Sequence, residues 1–184
     1  MRLDNQYRGR KIHARNIEIS TYEYDDEYIV VEGELKEDAL IAIYISGEKH
    51  QPHTVHNMII RMLIECSSLT IKEINVEMPG IPYDECIETS NSLDMIKGLR
   101  ISPGFTSKVK KSLKGNKRCV HLTTLLLAMA PAAMQGFWVY SGREPGGNGV
   151  SSDMIKDYLI DSCWVWRRDG ELVSRLKQKR KQIS

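Results

Sequence analysis

Residues 118–136 read RCVHLTTLLLAMAPAAMQG, and this run restricts the fold more tightly than any other stretch of the 184-residue chain. From Leu122 to Val139 there is no charged side chain, so a helix here is apolar on nearly every face and must be covered by other elements. The length invites comparison with a membrane span. Thr123, Thr124, Pro131, Gln135 and Gly136 interrupt it, however, and nothing beside it resembles an anchor. The expectation is a central buried helix from about Arg118 to Trp138.

A covering sheet is available in the first 80 residues. KIHARNIEISTYEY (11–24) alternates loosely and suits a strand, Asp25–Asp26 a turn, and EYIVVEGELKE a returning strand. DALIAIYISG (38–47) reads as a third, more buried strand, EKHQPHTVHN as an exposed loop, and MIIRMLIECSSLTIKEINVEM as two strands around a turn at Cys66–Ser68. After Met78–Pro79–Gly80 the pattern becomes helical. PYDECIETSNSLDMIKG stops near Gly98, and SPGFTSKVKKSLKG offers Ser102 as N-cap, Pro103 at the first helical position and Gly115 as the stop. Strands first and helices second is an α+β order: an antiparallel sheet of hairpins covered on one face by helices. The expected organisation is a single α+β domain over 1–143, a Gly-rich break at 144–150, and a C-terminal helical segment with a basic tail over 151–184.

Composition narrows the class. A hydrophobic fraction of 41% with 27% charged residues is that of an ordinary globular protein. A net charge of +2 gives no electrostatic case for nucleic acid. MRLDNQYRGRKIHARN is basic but has no apolar core of the signal-peptide kind. Cys66, Cys86, Cys119 and Cys163 show no secreted disulfide rhythm, so thiols or ligands are expected, in a cytoplasmic protein without membrane contact.

Chemistry concentrates at helix starts. Cys86 opens the first helical stretch, and Cys119 and His121 open the apolar one, with His56 just ahead of a strand as a fourth candidate. The free N–H groups and positive dipole end of a helix start lower a thiol's pKa, and mixed Cys/His sets hold zinc or iron–sulfur clusters. The bland alternative makes both cysteines small core hydrophobes and His121 a hydrogen-bonded core histidine. His50, His53 and His56 recur every third residue in a segment that reads as solvated loop. Cys66 and Cys163 read as structural, and Asp84, Glu85 and Glu88 as the charged first turn of a helix. GREPGGNG lacks the Lys-Ser/Thr of a phosphate loop.

Several stretches resemble a bacterial family, the domain of unknown function numbered 2889: KIHARNIEISTYEYDDEYIVVEGELKE, VHNMIIRMLI, IPYDEC, IKGLRISPGF, RCVHLTTLL and DSCWVWRRDGELV, in the family's order. Arg118 stands where that family usually has Gly before its Cys-x-His. From His56 to about Ala133 the layout is also similar to the IscU/NifU-type iron–sulfur scaffold. Counterparts are His56 and Met58, the Ile60–Glu77 hairpin, Cys86, Lys97–Gly98, and Cys119 with His121. That likeness implies a zinc or cluster site at Cys86, Cys119, His121 and His56, although the first scaffold cysteine has only His56 in its place.

Three functions compete. The first is a metal- or iron–sulfur-binding scaffold or accessory protein working with a protein partner. The second is a thiol enzyme with Cys119 as nucleophile. Cys119 and His121 lie about 200° apart around a helix axis, so they face each other only if Cys119 is still in the cap; otherwise His56 is the better base. The third is a binding module without chemistry, using Trp164, Trp166 and the basic tail RLKQKRKQ.

Overall fold

In the computed structural model, which describes residues 9–113, 115, 118–143 and 158–181, the chain opens on a long hairpin. Strand β1 (His13–Glu23) pairs antiparallel with β2 (Tyr28–Ala39). Its turn is held by Asp25, whose carboxylate accepts the backbone N–H of Glu27 and of Tyr28, each at 2.9 Å. A small separate hairpin follows, β3 (Ile43–Ile45) with β4 (Glu48–His50). Strands β5 (His53–Glu65) and β6 (Thr70–Gly80) then complete a four-stranded antiparallel sheet in the order β1-β2-β5-β6.

Strand β2 shows why one face of this sheet is apolar. Ile29, Val31, Gly33, Leu35, Glu37 and Ala39 are all buried, every second residue, while their neighbours reach toward solvent. In β5 the same alternation buries Met58, Ile60, Met62 and Ile64. On the opposite face Arg61 bridges Glu32 and Glu77 across three strands.

Helical elements cover the buried face. Asp84–Ile96 is a run of 3-10 turns packed against β6, with Leu93 and Ile96 in the core. Helix α1 (Phe105–Ser112) adds Phe105 and Val109. Helix α2 (Val120–Ser141) crosses β1, β2 and β5, burying Leu122, Leu125, Leu126, Met129, Ala133 and Phe137. It is long and apolar enough to cross a membrane by length and composition, and half of its most apolar window is buried here against the protein. Pro131 sits within it at an exposed position.

Contacts at three levels along α2 set its course. A Cβ on Gly136 would meet Thr21 Oγ1 at 2.1 Å, and one on Gly33 would meet Met129 Cγ and Sδ at 2.8 Å. Glycine at both places lets helix and sheet approach closely. Thr21 pairs with Val31, so α2 descends past positions 31 and 33 of β2 toward position 37. Fifteen helical residues from Gly136 to His121 span roughly 22 Å, and six strand residues from Val31 to Glu37 roughly 20 Å. The two rulers match, and the helix N-terminus arrives beside Glu37. At the other end the Tyr140 hydroxyl donates to the Asp25 carbonyl at 2.7 Å, clipping α2 to the β1–β2 turn.

The α+β architecture is as the sequence led one to expect; several elements differ. Residues 38–47 are not one buried strand. Asp38 and Ala39 finish β2, and Ile43–Ile45 form an outlying hairpin with Tyr44 exposed, because the paired length of β1 lets β2 run on to Ala39. The segment His53–Asn57, expected as loop, is the first part of β5. Helix α1 starts at Phe105 behind a left-handed Gly104 (φ 87°), not at Ser102–Pro103. Tyr158–Gly170 forms turns in place of a regular helix, while α3 (Glu171–Lys181) takes up most of the expected tail. The Gly-rich break at 144–150 and the start of the segment after it lie outside the described residues.

Candidate metal centre

Glu37 is the one charged side chain buried in the core among the described residues. It continues the inward parity of β2, and its register partners are Arg15 on β1 and His56 on β5. His56 likewise continues the inward parity of Met58, Ile60 and Met62. Beside it the register shifts, Glu37 facing His56 and Asp38 facing Thr54, so Val55 is the extra residue of a β-bulge. Bulges of this kind re-aim side chains beside functional sites. The third member arrives from above. Cys119 caps α2 in an extended conformation (φ −87°, ψ 127°), which puts His121 in the first turn, facing the sheet.

The two carboxylate oxygens of Glu37 have different neighbours. Oε1 accepts from Arg15 Nε at 2.7 Å and lies 3.4 Å from His13 Nε2. Oε2 lies 2.9 Å from His56 Nδ1 and 3.1 Å from His121 Nε2. The two imidazoles stack with centroids 3.8 Å apart. Despite its closeness to Oε2, the buried His56 Nδ1 has no partner in hydrogen-bond geometry among the described residues. His56 and His121 are mostly covered, whereas His13 and Arg15 form a half-exposed rim.

Electrostatics favours an ionised Glu37 and an unprotonated His121. Burial opposes the charge on Glu37, but the hydrogen bond and charge of Arg15, helped by His121 and His56, hold its carboxyl below the usual range. Burial, followed by the neighbouring His56, pushes the His121 pKa down against the attraction of Glu37. The positive end of the α2 dipole also disfavours a protonated ring there. An anionic carboxylate beside an imidazole that resists protonation is the kind of pair that binds metal.

Glu37, His56 and His121 offer donor atoms all within 4.8 Å of one another. A tetrahedral ion with bonds of about 2.0–2.2 Å needs donors roughly 3.3 Å apart, close to the 2.9 and 3.1 Å found around Oε2. Of the four residues expected from the sequence, the structure brings His56 and His121 into this group. Cys119 stands beside it, with Sγ 3.8 Å from His121 Nδ1. Cys86 is not in the group; it lies on the 3-10 run, with its N–H bonded to the Tyr83 carbonyl at 3.0 Å. Iron–sulfur clusters rest on cysteine thiolates, and this donor set of nitrogen and oxygen does not support one. His50 and His53 stay outside, and His53 turns Nδ1 toward the Gln51 carbonyl at 2.7 Å. Glu37 was not singled out from the sequence, although its inward parity in YIVVEGELKEDA marks it.

The family described as protein of unknown function DUF2889 matches residues 13–135. The chain belongs to this family. No curated protein and no solved structure matches it. The matched span includes His13, Arg15, Glu37, His56, Cys119 and His121, so the whole centre lies within the family's region.

Proposed function

We propose that the protein binds one divalent transition-metal ion through Glu37 Oε2, His56 Nδ1 and His121 Nε2. The reading is supported above all by a buried carboxylate oxygen with two imidazole nitrogens at 2.9 and 3.1 Å, one of them orphaned from hydrogen bonding. Two imidazoles and a carboxylate suit zinc or ferrous iron. Three protein ligands leave coordination open to water or a substrate oxygen, as in reactive centres; closed structural sites take four. Arg15, on the other oxygen, holds the carboxylate in place. A metal-dependent accessory or catalytic role follows, with the exposed rim at His13 and Arg15 as the way in.

Elemental analysis and competition with a chelator test this on the full chain. Wild type is expected to hold close to one equivalent of zinc or iron. Glu37→Gln and His121→Gln are expected to lose more affinity than the ~10–100-fold that outer partners are worth. Wild type without tight metal, or variants that hold it equally well, would sink the proposal.

A further inference from the structure

The geometry points to Cys119 as a positioning residue: it is the outer partner of His121, fixing the tautomer that sends Nε2 to the ion, and is not itself a ligand. This rests on the metal-centre reading. Cys119 occupies the N-cap of α2 yet makes no side-chain capping bond. Its carbonyl is taken by the Thr123 N–H at 3.1 Å and the Thr123 hydroxyl at 2.8 Å, which pins the backbone and leaves the thiol free. Among the described residues Sγ has a hydrogen-bond partner in His121 Nδ1, at 3.8 Å, a sulfur-length contact.

The two nitrogens of an imidazole point away from each other around the ring. His121 Nε2 is directed at Glu37 Oε2 and Nδ1 at Cys119, so the sulfur lies across the ring from the donor cluster. A zinc–thiolate bond of about 2.3 Å cannot form from there while His121 Nε2 stays on the ion. A metal-bound histidine donates its other N–H to an outer acceptor, and sulfur can serve as a weak one. With the ion on Nε2, Nδ1 carries the hydrogen and donates to Sγ. Arg15 plays the corresponding part for Glu37 from the other side, donating to Oε1.

Cobalt(II) titration of the full-length protein separates the possibilities. Wild type is expected to take one equivalent with no thiolate-to-cobalt charge-transfer band. Cys119→Ala is expected to keep that stoichiometry in a protein that still unfolds cooperatively, with affinity weakened about 10–100-fold. Nitrogen-15 spectra of zinc-loaded wild type should show a protonated Nδ1 on His121, a reading that needs no variant. A charge-transfer band that Cys119→Ala abolishes would make Cys119 a ligand and overturn the inference. So would unaltered affinity in that variant, or zinc on Nδ1. Wild type that takes up no cobalt would instead remove the metal centre, and this role would fall with it.

Discussion

A carboxylate at a core position is tolerable only when donors or cations answer it. For Glu37, Arg15 donates to one oxygen with His13 near it, and His121 and His56 stand beside the other. Arg15→Met keeps the aliphatic stem and removes the donor. It is expected to cost about 1–3 kcal/mol in urea denaturation of the metal-free protein, the range for losing a charged hydrogen bond; an unchanged midpoint would show the imidazoles suffice. The cysteines divide by environment. Burial, with the Asp25 carboxylate adding to it, pushes the Cys66 thiol up to about 11, whereas Cys163 is exposed. At pH 8, iodoacetamide followed by mass spectrometry should mark Cys163 well before Cys66, and equal rates would contradict this placement. Because an unfolded thiol titrates near 8.5, the contribution of Cys66 to stability is complete below that pH and declines from about 8.5 to about 11. Glu37 was legible in principle, through the inward series Ile29, Val31, Gly33, Leu35, while a carboxylate that ends an apolar series looks like the strand's polar end until its neighbours are known.

At the scale of elements, α2 carries His121 to the sheet, and two close approaches aim it. Alanine ordinarily favours a helix over glycine by about 1 kcal/mol, but at Gly136 its Cβ would overlap Thr21 Cβ and Cγ2, at 2.6 and 2.7 Å. Gly136→Ala is therefore expected to destabilise by about 1–3 kcal/mol and to weaken metal binding, although it lies four turns from His121. Gly33→Ala meets the flexible Met129 side chain and should cost less. Thermal unfolding and chelator competition on the two variants check that order; Gly136→Ala at or above wild-type stability would mean α2 has room to shift. Hairpins and the apolar helix were readable because their periods are local. The small hairpin at Ile43–His50 and the first residues of β5 were not, since whether HTVHN pairs depends on how far β2 extends.

At the scale of the molecule, the chain after the Gly-rich stretch returns to the core. The Tyr158 hydroxyl accepts from Arg100 Nε and donates to the Ser68 carbonyl at 3.2 Å, and the ring is buried. Tyr158→Phe should lower stability by about 1 kcal/mol, or roughly 2–4 °C in Tm for a chain this long, with metal affinity unaltered because Ser68, Arg100 and Tyr158 are not members of the Glu37, His56 and His121 group. A fall in metal affinity would couple the two regions. The α+β order, a buried helix from about Arg118 to Trp138 and the presence of imidazole at its mouth follow from the sequence alone, since each rests on composition and periods of two or 3.6 residues. That His56 and His121 meet a carboxylate, with Cys119 behind His121 and Cys86 outside the group, was decided by tertiary structure. Strand register, the bulge at Val55 and the seating of α2 on Gly33 and Thr21 are non-local packing outcomes. They join residues 84 positions apart in the chain, from Glu37 to His121, and no local pattern encodes that distance.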